Sequence, residues 1–258
     1  MKKIPALLYI LFIVSLATAK DNDKKIFIIG DSTVHNNSSK KEMGWGTALE
    51  EYAKNPKNIF NLAREGSSSK SYKLCNSQPS NCYKNRNWTN TKSLIQHTNI
   101  SRGAYLLIQF GHNDEDESSF NLYTTASREG SFYKELKMFV DEAKAMGVTP
   151  ILITPVERMR KERGKKMRSS HTRADGNYAQ TVRDLAKDEK VVLLDLQKRS
   201  FESFSKYRDK KAIMKSFAFD DSTHFSPKGA KAVARWVKEL ACRSEAKGLC
   251  REFKKRKK

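Results

Sequence analysis

The stretch Ile26–Thr33, which reads IFIIGDST, sets four apolar residues directly before a glycine, an acid and two hydroxyl residues. The apolar run does not alternate with polar residues, which is typical of a strand covered on both faces by helices. Gly30, Asp31 and Ser32 are common turn residues, so the simplest interpretation is a strand that ends in an ordinary turn. A second interpretation places Ser32 at the carboxyl end of a central strand as a nucleophile. The rest of the chain has to decide between them.

Four more apolar, β-branched runs recur along the chain, and segments with helical periodicity separate them. The five predicted strands are Ile26–Ile29, Ile59–Ala63, Ala104–Phe110, Pro150–Thr154 and Val191–Leu196. The predicted helices include Gly130–Met146, Asn177–Lys187 and Pro227–Leu240. Strands that alternate with helices indicate right-handed βαβ crossovers and a parallel sheet between two helix layers. The sequence therefore predicts an α/β fold, a three-layer α/β/α, flavodoxin-like domain with five parallel strands.

The two ends of the chain differ in composition from its centre. Residues 1–19 combine Lys2 and Lys3, an apolar run and a small-x-small site at Ala17–Ala19, which predicts a signal peptide. A retained membrane anchor is the alternative, but the apolar run is short for a bilayer span. We predict a secreted monomer, extracellular or periplasmic, with no membrane anchor after cleavage. Its single domain covers residues 20–250, and a basic tail follows at 251–258.

The four cysteines lie in two local pairs, Cys75 with Cys82 and Cys242 with Cys250. Four cysteines allow three pairings, of which these two local bridges need the least chain rearrangement. A four-cysteine zinc site is the alternative, although neither pair has the short spacing that zinc usually takes. Disulfides agree with export, and we predict the two local ones.

The formal net charge of +21 is the strongest compositional feature of the chain. A field of this sign attracts polyanions, and nucleic acid, anionic lipid and acidic polysaccharide all qualify. The basic residues concentrate at 158–168, 206–215 and 254–258. No aromatic residues interleave them as base stacking requires, so we do not expect nucleic acid as the partner. An acidic polysaccharide is the partner that we predict.

The carboxyl ends of parallel strands share one rim, and the chain places the parts of a nucleophilic site there. A serine needs a base and the base needs an orienting acceptor, which His224 and Asp221, three residues upstream, supply. The N–H groups of Ser32 and Gly66 and the side-chain amide of Asn113 are candidate donors to an oxyanion. Each part also has a structural interpretation: the acid and imidazole as helix caps, the asparagine and glycine as turn residues.

The ordered series of these residues resembles the conserved blocks of the SGNH (GDSL-type) hydrolases. The matching blocks are Gly30-Asp31-Ser32, Gly66, Gly111-x-Asn113-Asp114 and Asp221-x-x-His224. The resemblance is closer still to the rhamnogalacturonan acetylesterase branch, through GDSTV at Gly30, GWG at Gly44, QFGHND at Gln109, ITPV at Ile153 and D-x-THF at Asp221. It covers residues 25–241. Arg64 and Glu65 depart from the small residues that the branch commonly has before the glycine of the second block.

The resemblance implies an esterase that removes acetyl groups from pectic rhamnogalacturonan, with no metal and no cofactor. Ser32 would be the nucleophile, His224 the base and then the acid, and Asp221 the orienter of His224. Ser32, Gly66 and Asn113 would form the oxyanion hole, and both cysteine pairs fall where the branch is disulfide-bonded. The further substrate-binding residues that we predict are Asp31, His112, Lys161, Lys165 and Lys166, the lysines for the carboxylates of galacturonate-rich chains.

Two other classes of function fit parts of the sequence. The first keeps the chemistry and changes the acyl donor, to acetylated xylan, another glycan, a lipid or a thioester. A lipase is disfavoured because no long apolar lid is present and the G-x-S-x-G elbow is absent. The second is a secreted basic protein that binds acidic glycans without turnover, which the charge alone supports.

Overall fold

The strand β1 (Lys25–Gly30) contributes to two hydrophobic cores, one on each face of the central sheet. Ile26 and Ile28 pack into the first core, and Phe27 and Ile29 pack into the second. All four side chains are buried, because successive residues of a strand point to opposite faces and helices cover both. The computed structural model describes residues 24–35, 41–73 and 87–255, so the predicted signal peptide and the pair Cys75–Cys82 lie outside the described residues.

The central sheet has five parallel strands, as predicted. They are β1, β2 (Ile59–Asn61), β3 (Ala104–Gln109), β4 (Val148–Ile153) and β7 (Val192–Leu194), and their spatial order is β2-β1-β3-β4-β7. This is the flavodoxin-like order, in which the chain winds first to one side of β1 and then to the other. β5 (Thr172–Arg173) and β6 (Gly176–Asn177) form a separate antiparallel hairpin, which the sequence analysis did not predict.

All five strands differ from their predicted bounds by one or two residues at one end or both, and the structure gives a physical reason at β4 and β7. β4 begins at Val148 and contains Pro150. Pairing with β7 starts only at Ile151, so the missing N–H of Pro150 lies where one neighbouring strand is absent. β7 ends at Leu194 because the next residue, Asp195, accepts a hydrogen bond from Lys198 N at 3.2 Å and so caps a helix.

Helices cover both faces of the sheet and complete the three layers. They are α1 (Trp45–Ala48), α2 (Ser69–Lys73), α3 (Trp88–His97), α4 (Ser131–Ala145), α5 (Tyr178–Asp188), α6 (Leu196–Phe204), α7 (Lys210–Phe217), α8 (Pro227–Arg243) and α9 (Lys247–Arg251). Short 3₁₀ helices occupy Leu49–Tyr52 and Pro56–Asn58. Helices α1 and α6 to α9 pack on the first core, and α2 to α5 pack on the second. No helix in the described ranges is long and apolar enough to cross a membrane.

The carboxyl-terminal end is part of the folded domain beyond the predicted boundary. Cys242 and Cys250 form the predicted disulfide and join α8 to α9. Phe253, which the prediction assigned to the tail, is 2% exposed and forms an antiparallel bridge with Ala53. The buried aromatic ring ties this segment to the first core, so the domain extends at least three residues past 250.

Candidate active site

The turn after β1 explains the composition of the opening stretch. Val34 N and His35 N donate to the Asp31 carbonyl oxygen at 3.1 and 3.0 Å, which reverses the chain. The Asp31 carboxylate accepts from Thr33 N at 2.9 Å and Thr33 Oγ1 at 2.7 Å. The side chain therefore stabilises its own turn, as short polar residues do. Ser32 lies at the apex of this turn. The stretch is therefore a strand that ends in an ordinary turn, and the same turn presents Ser32 at the carboxyl end of a central strand.

Ser32, His224 and Asp221 form a continuous series of hydrogen bonds. Ser32 Oγ lies 2.9 Å from His224 Nε2, and His224 Nδ1 lies 2.7 Å from Asp221 Oδ2. The other carboxylate oxygen of Asp221 accepts from Thr223 N at 2.6 Å and His224 N at 2.7 Å. These bonds hold the acid and the ring in one rigid loop. A carboxylate on Nδ1 leaves Nε2 free to accept the serine proton.

Asp221 and His224 are not helix caps. Helix α8 is capped by Ser226, whose hydroxyl accepts from Gly229 N at 3.2 Å, with Pro227 in the first turn. Burial alone would raise the pKa of Asp221, but the N–H groups of His224 and Thr223 and the His224 ring lower it below its ordinary value. The carboxylate therefore stays ionised in mild acid, and it can stabilise a positive charge on the ring.

The predicted oxyanion donors lie on neighbouring loops. Within the described part of the chain, the backbone N–H groups of Ser32 and Gly66 donate to no acceptor. Asn113 Nδ2 donates one hydrogen bond to the Ser67 carbonyl oxygen at 2.8 Å, which leaves its second N–H available. Gly66 has a φ of 67°, a conformation that glycine adopts without strain. The Asn113–Ser67 bond brings the asparagine amide beside the residue that follows Gly66.

Asp114 holds these two loops together from beneath. Its carboxylate accepts from Ser69 N at 3.0 Å, from Ser69 Oγ at 2.5 Å and from Thr124 Oγ1 at 3.0 Å. Asp114 is fully buried, and burial raises its pKa to about 7 although these donors act in the opposite direction. The position of Asn113 therefore depends on the next residue, to which the sequence analysis gave no role of its own.

Asp31 and His112, the predicted substrate-binding residues, are buried beside the turn that carries Ser32. Asp31 is fully buried and His112 is 5% exposed. His112 Nδ1 lies 3.1 Å from Asp31 Oδ2, and His112 Nε2 lies 3.0 Å from the Val156 carbonyl oxygen. Burial alone would raise the pKa of Asp31, but His112 and the Thr33 donors hold it below its ordinary value. Both side chains are engaged within the protein and support the turn that carries Ser32.

A second buried histidine extends this polar layer. His171 is fully buried, its Nε2 lies 2.9 Å from the Val156 carbonyl oxygen, and its Nδ1 lies 3.2 Å from Glu115 Oε2. Burial would lower the pKa of His171, but the bond to Glu115 and its charge outweigh that effect and raise it. Burial acts to raise the pKa of Glu115, yet His171 and Arg158 lower it to about 2. Glu115 is therefore ionised at neutral pH.

Arg158 connects the buried layer to the loop that carries His224. Its Nε and Nη2 donate to Glu115 Oε1 at 3.0 and 2.7 Å, and Nη2 also donates to the His112 carbonyl oxygen at 3.0 Å. Nη1 donates to Thr223 Oγ1, in the residue that precedes His224. In the sequence, Arg158 is only the first residue of a basic run. No local pattern relates it to Glu115, which lies on another loop.

The three predicted lysines have different surroundings. Lys161 Nζ donates to the carbonyl oxygens of Ser205 and Tyr207, each at 2.5 Å, so its charge anchors the loop. Lys165 is exposed and pairs with Glu162. Lys166 is exposed. Only part of the predicted basic surface is therefore open to a ligand.

Ser32, His224 and Asp221 are joined by hydrogen bonds, and Ser32 follows a strand at the carboxyl-terminal rim of the parallel sheet. The sequence profile of the GDSL-like Lipase/Acylhydrolase family matches residues 26–237. The chain belongs to this family, which confirms the resemblance drawn from the sequence blocks. Within the described ranges, no group of three or more histidine, cysteine or acidic side chains is arranged to hold a metal ion.

Comparisons with individual proteins agree with that membership. Rhamnogalacturonan acetylesterase RhgT of Bacillus subtilis (strain 168) is 29% identical over 229 residues, 83% of this chain and 88% of that protein. A second protein of that strain, named "Probable rhamnogalacturonan acetylesterase YesY", is 30% identical over 224 residues, 83% of this chain and 93% of its own. The crystal structure of protein YXIM from Bacillus subtilis superposes with a TM-score of 0.65 at 25% identity, over 86% of this chain and 56% of that one.

Proposed function

We propose that the protein is a carbohydrate acetylesterase that hydrolyses O-acetyl esters of an acidic, pectic polysaccharide. The observation that carries the proposal is the contact of 2.9 Å between Ser32 Oγ and His224 Nε2, with Asp221 on the other ring nitrogen. Membership of the GDSL-like Lipase/Acylhydrolase family supports ester hydrolysis as the reaction. In this proposal Ser32 is the nucleophile, His224 the base and Asp221 the residue that orients and stabilises the imidazolium.

The first half of the reaction transfers the acetyl group to the protein. His224 Nε2 accepts the proton of Ser32 Oγ, and the oxygen attacks the acetyl carbonyl carbon. The negative charge that develops on the carbonyl oxygen is stabilised by the N–H groups of Ser32 and Gly66 and by Asn113. The imidazolium then donates its proton to the departing sugar oxygen, which leaves as an alcohol.

The second half releases acetate. A water molecule loses a proton to His224 Nε2 and attacks the acetyl group on Ser32, and the same donors stabilise the second oxyanion. His224 returns the proton to Ser32 Oγ as the acyl bond breaks. Acetate leaves, and the hydrogen-bonded series is restored.

The pectic substrate is supported by the names of the two relatives and by the charge of the chain. Both relatives are named for rhamnogalacturonan and are about 30% identical to this chain. A net charge of +21 favours an anionic polymer over a neutral one. Export, predicted from residues 1–19, belongs to the same proposal.

The test is acetate release from three substrates: acetylated rhamnogalacturonan, acetylated xylan and a long-chain ester. Ser32→Ala should lower kcat on rhamnogalacturonan about 10⁴-fold or more, because the nucleophile is lost. Ser203→Ala, in helix α6 and outside the Ser32–His224–Asp221 series, is the matched serine control and should retain wild-type rates.

Two outcomes would contradict the proposal. Wild-type acetate release by Ser32→Ala would refute the assignment of the nucleophile. Faster release from xylan or from the long-chain ester than from rhamnogalacturonan would refute the assignment of the substrate.

A further inference from the structure

A basic cleft of ≈ 860 Å³ lies beside the loop that carries Asp221 and His224. Seven of its lining residues are basic and only one, Glu162, is acidic. The basic residues are Arg160, Lys161, Lys165, Lys166, Arg168, Arg173 and Lys210. The cleft is distinct from the Ser32–His224 contact, since neither residue lines it.

Three of the basic side chains are available to a ligand. Lys166, Arg168 and Lys210 are exposed, and their side chains form no ion pair or hydrogen bond within the part of the chain that the structure describes. They come from two segments, the loop after β4 and the start of α7. Lys161 joins these segments, because its carbonyl oxygen accepts from Lys210 N at 2.7 Å. The three cations therefore line one cleft from two segments of the chain rather than from a single basic run.

Hydrogen bonds attach the cleft directly to the catalytic loop. Arg160 Nε donates to Ser222 Oγ at 3.2 Å, and Met159 N donates to the Ser222 carbonyl oxygen at 2.7 Å. Ser222 is the residue that follows Asp221, so the cleft wall and the predicted catalytic acid share one loop. The cleft wall, through Ser222, and Ser32, through its bond to His224, therefore meet on the loop of residues 221–224.

We propose that the cleft binds sugar carboxylates of the polysaccharide whose acetyl ester lies at Ser32. This inference rests on the proposed function and adds the group that the substrate must carry. Arginine matches the two oxygens of a carboxylate with paired donors, and lysine adds a mobile point charge, so Arg168 with Lys166 and Lys210 suits a uronate. A neutral acetylated glycan gains nothing from these residues.

The chemistry also favours an order of reactions. A carboxyl group that carries a methyl ester has no charge, so a methyl-esterified chain would lose its attraction to the cleft. Where the polysaccharide is methyl-esterified, prior hydrolysis of those methyl esters should lower the KM for deacetylation by this protein.

The experiment changes charge on the protein and on the substrate together. The cleft variant is Lys166→Gln/Arg168→Gln/Lys210→Gln. The matched control, Lys57→Gln/Lys187→Gln/Arg243→Gln, removes the same charge at the opposite edge of the sheet, since Lys57 precedes β2 and the other two end helices α5 and α8. The substrates are acetylated rhamnogalacturonan and the same polymer after chemical reduction of its carboxyl groups.

The cleft variant should raise KM for the acidic polymer about tenfold, the sum of three contacts that are each weak at an exposed site. For the carboxyl-reduced polymer that factor should fall below about two, because the partner charge is gone. The control variant should leave KM within about twofold on both polymers. Equal effects of the cleft and control variants, or equal effects on both polymers, would overturn the inference.

Two further measurements keep this test separate from that of the proposed function. Hydrolysis of p-nitrophenyl acetate by the wild type and its loss in Ser32→Ala report on the nucleophile without any carboxylate. Binding of an oligogalacturonate to Ser32→Ala, measured by calorimetry, reports on the cleft without turnover. The cleft substitutions should weaken that binding about tenfold in the Ser32→Ala protein, and unchanged binding would refute the cleft whatever the esterase assays give.

Discussion

Glu115→Gln is the substitution with the most direct expected effect on stability. The Glu115 side chain is 2% exposed and forms ion pairs with Arg158 at 2.7 Å, His171 at 3.2 Å and Arg173 at 3.2 Å. Glutamine keeps the shape of the side chain and removes its charge. The two arginines and the His171 ring then remain around a neutral amide in a site that water hardly reaches.

The magnitude follows from the pKa of the carboxyl. The fall of the Glu115 pKa from 4.5 to about 2 corresponds to about 3 kcal/mol of unfolding free energy at pH 7. Because the folded state holds the proton less tightly than the unfolded state, this contribution is complete above pH 4.5 and is lost as the pH falls towards 2. At pH 3 about 1.4 kcal/mol should remain.

Chemical denaturation at pH 7 and at pH 3 measures both values. Glu115→Gln should lower the unfolding free energy by about 3 kcal/mol at pH 7, a fall in Tm of roughly 6–12 °C, and the difference from wild type should halve at pH 3. Glu117→Gln is the control, since Glu117 is exposed on the same loop. It should change stability by less than about 0.5 kcal/mol.

Either of two results would refute the reasoning. A loss below about 1 kcal/mol at pH 7 would mean that the buried charge contributes no more than a surface ion pair. An equal difference from wild type at both pH values would mean that the loss comes from packing rather than from ionisation of Glu115.

Two other substitutions test the remaining parts of the structure. Asn113→Ala should lower kcat about 10²–10³-fold, with little change in KM, because one oxyanion donor is lost. Steady-state kinetics on p-nitrophenyl acetate measures this change. An unchanged kcat would show that Asn113 is not an oxyanion donor. Cys242→Ser/Cys250→Ser should lower the unfolding free energy by about 2.5 kcal/mol, the entropy of closing a short loop. Chemical denaturation of the wild type and the variant without reductant measures the difference, and no difference would exclude that contribution.

The parts of the fold that the sequence analysis predicted correctly depend on local pattern. Each strand of the sheet is a short apolar run. The absence of alternating polar residues, as in Ile26–Ile29, indicates that both faces of the strand are buried. Asp221 and His224 lie three residues apart, so one loop brings them into contact at 2.7 Å. The Cys242–Cys250 bridge is equally local.

The buried polar layer was missed because its members are far apart along the chain. Taken singly, Glu115, Arg158 and His171 are each typical of an ordinary polar loop residue. Only the packing of two loops against each other brings Arg158 and His171 within 3.2 Å of Glu115. Asp31 and His112 follow strands of the sheet, where a side chain can point inward or outward, and only the packing shows that both are buried. Residue type and strand position do not distinguish the two directions.

The amino-acid order was sufficient to predict the parallel sheet and its flavodoxin-like class, since hydrophobic periodicity can be read directly from the sequence. It was also sufficient to predict the residues of the Ser32–His224–Asp221 series, since they lie in short sequence blocks. Folding was needed to reveal that Ser32 Oγ lies 2.9 Å from His224 Nε2 across 192 positions, that Arg158 braces the loop before His224, and that Lys161 is an anchor while Lys166 is open. The physical reason is that distances, burial and the direction of a side chain depend on how the layers pack, and no run of neighbouring residues contains that information.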